Sequence, residues 1–230
     1  MSGLLRRYRA ERLPWTMTSI VSLLLAVCSQ AGTRSNPTTF LVDVVLASLL
    51  FAQFRIFDDL ADRPRDARTN PERVLVRTTT VRPIVIAGLI LAAATAGILL
   101  LRTTVLLDSA VASASATRPS AIGAYLALIA LLASWYSLRG ERTLVGDHLL
   151  LTKYPAFVWI VAISRETFPR PGWAATPQLG LSMLAVYLAA CVYEALHDDR
   201  SPAKGRPALL LGEGLLLAVT LAALSMRGAV

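Results

Sequence analysis

A chain of 230 residues that is 55% hydrophobic, with a mean hydropathy of +0.56, is too apolar for an ordinary soluble domain and reads as a membrane protein. Its net charge of +8 comes from basic residues that flank apolar runs, a placement that fits orientation and contacts with lipid or phosphate, and the sequence carries no nucleic-acid-binding motif. Cys28 and Cys191 both fall inside apolar runs, which indicates packed side chains and neither a disulfide framework nor a metal site.

In chain order, Arg6, Arg7, Arg9 and Arg12 precede an apolar run over residues 14–30. That run has no clean small-residue cleavage site and further spans follow, so it is read as a first transmembrane span and not as a signal peptide. A second span is expected over 38–57, then a basic loop, and a third span over 83–101. The Ser/Thr/Ala-rich stretch to Ser120 reads as a loop with a short interfacial helix. Spans over 121–138, 149–164, 178–196 and 207–226 complete a single domain of residues 1–230 with about seven transmembrane helices. The fifth contains Lys153, and Pro155 is expected to kink or shorten it. Seven spans put 16 of the 23 basic residues on the side of the N-terminus and six on the other, with Lys153 inside a span. The bias predicts a multi-pass protein whose N-terminus is cytoplasmic.

The second span ends in Asp58, Asp59, Asp62 and Asp66, and the sixth in Glu194, Asp198 and Asp199. At helical spacing Asp58, Asp62 and Asp66 fall on one face, as do Glu194 and Asp198, and like charges so placed repel by a few tenths of a kcal/mol per pair. Arg63 and Arg65 interleave with the first cluster, so a solvated helix end with local ion pairs is the alternative reading. Both clusters fall at the same predicted bilayer edge, however, and ionisable groups at membrane depth are functional candidates by default. Magnesium suits an all-oxygen ligand set best, because it takes one or two carboxylates per ion and keeps positions for water and substrate phosphate. No Cys/His arrangement argues for zinc. His197 reads as a helix-end hydrogen-bonder. Asn70, Arg73, Arg77, Arg139 and Lys153 supply polar and cationic groups for a polyphosphate, with snorkelling an equal alternative for Lys153.

These motifs resemble the UbiA superfamily of intramembrane prenyltransferases. Asp58, Asp59, Asp62 and Asp66 match its first motif, N/D-D-x-x-D-x-x-x-D; Asn70-Pro-Glu-Arg73 with Arg77 resembles the basic continuation; and Glu11-Arg-Leu-Pro14 looks like the start of small members. Glu194-x-x-x-Asp198-Asp199 stands where the family has D-x-x-x-D. The resemblance implies an all-α bundle in which two Mg2+ ions bind an isoprenyl diphosphate and help the diphosphate leave. Asp58, Asp59, Asp62, Asp66, Glu194, Asp198 and Asp199 would be the metal ligands. Tyr136, Tyr154, Trp159 or Tyr193 would face the resulting cation. The family usually has nine such helices against the seven expected here.

The leading expectation is therefore Mg2+-dependent prenyl transfer to a lipophilic or aromatic acceptor. Cyclisation of the prenyl diphosphate by a UbiA-type terpene cyclase is the first alternative, and a non-catalytic binder or transporter is the second. Partners are the isoprenyl diphosphate and membrane lipid, with no nucleic acid, and homo-oligomerisation stays open.

Overall fold

Among the described residues of the computed structural model (2–33, 36–110, 120–138, 143–165, 176–198 and 201–228) every regular element is a helix. In chain order they are α1 (Ser2–Arg12), α2 (Trp15–Ser29), α3 (Pro37–Thr69), α4 (Val74–Arg77), α5 (Arg82–Ala110), α6 (Ala121–Leu138), α7 (Leu144–Leu151), α8 (Lys153–Ile163), α9 (Thr176–His197) and α10 (Pro207–Gly228). Five of them, α3, α5, α6, α9 and α10, are long and apolar enough to cross a membrane. A sixth span results if α1 and α2, bent by 60° at Leu13–Pro14, count as one. The stretch expected as a fifth span, 149–164, is built as α7 and α8, which break at Thr152.

The long helix α3 positions the site. Asn36 caps it by accepting the Thr39 amide at 2.8 Å, and Pro37 occupies a first-turn position where its missing N–H costs nothing. Its 33 residues extend to about 50 Å at 1.5 Å per residue, well beyond a hydrocarbon layer of about 30 Å. The excess length carries the acidic cluster past the apolar part of the bundle. Arg63 then donates to the carbonyls of Leu75 and Thr78, both at 3.0 Å, which folds residues 70–78 back along the end of α3.

Along its middle, α3 packs Leu46, Leu50 and Phe54 against Phe157, Val158 and Val161 of α8. Within that apolar layer Gln53 is fully buried and is met by the hydroxyls of Tyr125 at 2.9 Å and Thr95 at 3.3 Å, tying α3 to α6 and α5. At the end of the bundle where α3 begins, Asp43 is fully buried and pairs with Arg102 at 2.8 Å and Arg165 at 3.1 Å. Arg102 also donates to Ser164, and Arg165 to Thr33 and Ser29, so one network joins α2, α3, α5 and the end of α8. A smaller apolar cluster of Tyr8, Ile56, Leu75 and Ile84 sits at the opposite end and fixes α1 and α4 there.

Candidate active site

At the end of the bundle where α3 and α9 finish, a cavity of about 640 Å3 opens. Asp58, Asp59, Asp62 and Asp66 from α3 and Glu194 and Asp198 from α9 all line it, so two clusters 128 residues apart, counted from Asp66 to Glu194, share one space. Asn70, Arg73 and Lys153 line it as well. Arg77 does not: it is exposed at the far end of α4, one turn beyond Arg73, while Leu75 between them packs into the smaller apolar cluster. Asp199 and Arg139 lie outside the described residues.

Each acid of the first cluster has a cation beside it. Asp59, buried, accepts from Arg12 at 2.5 and 3.0 Å and from the Tyr8 hydroxyl at 2.8 Å, with Arg55 at 3.7 Å. Asp66 pairs with Arg73 and accepts from Asn70 at 3.1 Å. Asp62 lies 3.8 Å from Arg65. Asp58 pairs with Lys153, whose buried side chain enters at the first residue of α8. The break at Thr152 is what aims that lysine. Pro155 cannot donate to the Leu151 carbonyl four residues back, so α7 stops and a new helix starts with Lys153 pointing into the cavity.

Three lining residues, Arg12, Arg55 and Asp147, and one residue behind them, Tyr8, were not singled out by the sequence as parts of a site. Arg12 and Tyr8, which acts through Asp59, come from α1, and Arg55 lies one turn before Asp59. Asp147 enters from α7, whose first turn is set by Thr143 accepting the Gly146 amide at 3.0 Å. His197 lines the cavity too, yet its Nδ1 bonds the Tyr193 carbonyl at 3.0 Å and its ring stacks on Tyr193, as a helix-end histidine would. Of the aromatic candidates, Tyr136, Tyr154 and Tyr193 line the cavity, whereas Trp159 packs against the apolar core.

Seven carboxylates thus face five Arg and Lys side chains, a formal excess of two negative charges. A hard cation fits this set. The donors are carboxylate oxygens, and Asp58 Oδ1 is buried with no hydrogen-bond partner, a position that an ion or its water would fill. Beneath the mouth the bundle is filled by Phe51, Phe54, Tyr154 and Phe157 in ring contacts of 5.1–6.5 Å. The apolar part of the lining is instead lateral, at Tyr136, Leu150, Leu151 and Tyr193. No protein-family model, no curated protein and no solved structure matches this chain.

Proposed function

We propose that this chain is an intramembrane enzyme of the UbiA type that binds an isoprenyl diphosphate with Mg2+ in this cavity and transfers the prenyl group to a lipophilic or aromatic acceptor. One observation carries the reading: both acidic clusters and a buried lysine converge on one pocket at a single end of an apolar helix bundle. In this reading α7 and α8 together make a broken seventh span, and the pocket end is cytoplasmic, as the basic-residue bias requires.

Asp58, Asp59, Asp62, Asp66, Glu194 and Asp198 would hold the metal, and Mg2+ would supply charge neutralisation for the departing diphosphate. Lys153 and Arg73, now paired with Asp58 and Asp66, would exchange those carboxylates for phosphate oxygens as the substrate enters. Such charge-assisted contacts fix the diphosphate and strengthen as the C1–O bond breaks and its electron pair leaves with oxygen. The lateral apolar edge gives the hydrocarbon tail a route between α6, α7 and α9 toward lipid. Tyr136, Tyr154 and Tyr193 would turn ring faces to the positive charge left on the allyl group and shield it from water.

The test is diphosphate release by the detergent-purified protein with geranyl, farnesyl and geranylgeranyl diphosphates, Mg2+ and a panel of acceptors. Release that is lost in Asp198→Asn supports the reading, and no release from any substrate sinks it. Prenylated acceptor identifies transfer, and cyclised hydrocarbon formed without acceptor identifies cyclisation.

A further inference from the structure

Behind the pocket wall, three side chains from three helices meet: His148 of α7, Cys191 of α9 and Glu213 of α10, with donor atoms all within 4.8 Å of one another. The sequence suggests no such meeting, since the three lie far apart and Cys191 reads as a packed apolar residue.

The hydrogen bonding specifies what belongs between them. His148 Nδ1 is 2.8 Å from the Leu144 carbonyl, an oxygen that can only accept, so Nδ1 carries a proton and Nε2 is the nitrogen left to bind a ligand. Nε2 is in turn 2.8 Å from Glu213 Oε1. At that distance the two share a proton, which a bound metal ion would displace as the pair opens to ligand spacing. A backbone carbonyl on the remote ring nitrogen is the arrangement that orients metal-binding histidines. The other carboxylate oxygen, Oε2, is buried with no hydrogen-bond partner, on a side chain only 10% exposed. Cys191 is 3% exposed and receives a hydrogen bond from Tyr187, one turn earlier on α9, so its sulfur is held in place beside the other two donors and becomes a ligand when a metal ion displaces the thiol proton.

From these observations we infer a second metal site, formed by His148, Cys191 and Glu213, for a zinc-class divalent ion. Thiolate, imidazole and carboxylate together select zinc over magnesium. Ligand atoms of a tetrahedral zinc centre stand roughly 3.3–3.8 Å apart for bonds of about 2.0–2.3 Å, so the trio closes with small side-chain rotations. Binding releases the thiol proton and the one shared by His148 and Glu213 to solvent. The ion ties α7 and α10 to α9, directly behind Asp147 and one turn before Glu194, both of which line the pocket. The site stands whether or not that pocket handles a prenyl diphosphate.

The test is cobalt titration of the chelator-treated, detergent-purified full chain, read by absorption. One Co2+ per chain with a sulfur-to-cobalt charge-transfer band is expected, displaced by equimolar Zn2+ and unaffected by excess Mg2+. The band disappears in Cys191→Ser and persists in Cys28→Ser. In Glu213→Gln the band remains and the affinity falls at least about tenfold. Absence of the band from the wild type overturns the assignment, as does its persistence in Cys191→Ser. Should Cys191→Ser not fold, unchanged Co2+ affinity in Glu213→Gln overturns it equally.

Discussion

Asp58 and Asp59 are neighbours with different obligations, and the difference decides what their removal does. Asp59 fastens α1 to α3 through Tyr8 and Arg12, so Asp59→Asn removes a proposed metal ligand and loosens the N-terminal helix together. Asp198→Asn on α9 leaves that attachment intact, and it is expected to lower diphosphate release by about a hundredfold or more, several kcal/mol of lost leaving-group stabilisation, with an unchanged helical circular dichroism spectrum. Asp58 has one buried partner, Lys153, and one oxygen with none. Lys153→Met therefore strands a buried carboxylate, and the variant melts lower than the wild type in the absence of metal. Added Mg2+ raises its melting temperature by more than it raises that of the wild type, because only in the variant does the ion relieve an unpaired charge. In steady-state assays of the same variant KM rises by about 10–100-fold, the loss of one charge-assisted hydrogen bond, and kcat changes less. A KM left at the wild-type value would remove Lys153 from the proposed diphosphate site.

Helices supply the geometry that these side chains need, and the short α7 is the most constrained of them. A Cβ on Gly146 would stand 2.9 Å from Thr143 Oγ1 and 3.0 Å from Trp135 Cζ2, so the close seating of α7 against α6 requires glycine at that position. Gly146→Ala is expected to destabilise the protein by about 1–3 kcal/mol through overpacking and, by displacing Asp147, to slow turnover. An unchanged melting temperature would mean that α7 is not held against Trp135. Apolar length made α5, α6, α9 and α10 legible in the sequence, because each is one uninterrupted helix whose apolar run is long enough to match a bilayer. The same criterion joined residues 149–164 into one span, since hydropathy measures how apolar a stretch is and not whether its backbone continues. Asp58, Asp62 and Asp66 announced themselves by helical spacing. Arg12, Asp147 and Cys191 could not, because each reaches its partners from another helix and owes its place to packing and not to neighbours in the chain. Arg77 is the converse case: it follows the cluster closely in sequence, yet it is exposed at the end of α4 and does not line the cavity.

On the scale of the whole molecule, polar chemistry sits at both ends of the bundle and does opposite work. The pocket end holds more acid than base, with carboxylates and their paired cations lining an open cavity, the arrangement that the proposed charged ligand would need. At the other end Asp43 is enclosed by Arg102 and Arg165, which also donate to Ser164, Thr33, Ser29 and the Thr39 carbonyl. Among the described residues these contacts join α2, α3, α5 and the residues that follow α8. That arrangement makes Asp43 a fastener for α2, α3, α5 and α8, the helices that set where α3 starts and hence where its acidic end arrives. Asp43→Ala leaves two buried guanidinium groups without their carboxylate, and removing one member of a buried ionic network costs about 3–5 kcal/mol. The expected outcome is a sharply lower melting temperature in detergent. At temperatures well below that melt, the KM for the prenyl diphosphate and the Mg2+ requirement stay at wild-type values, because the pocket residues keep their own partners at the far end of α3. A change in the Mg2+ requirement without loss of stability would instead make Asp43 part of the chemistry and the two ends one coupled system.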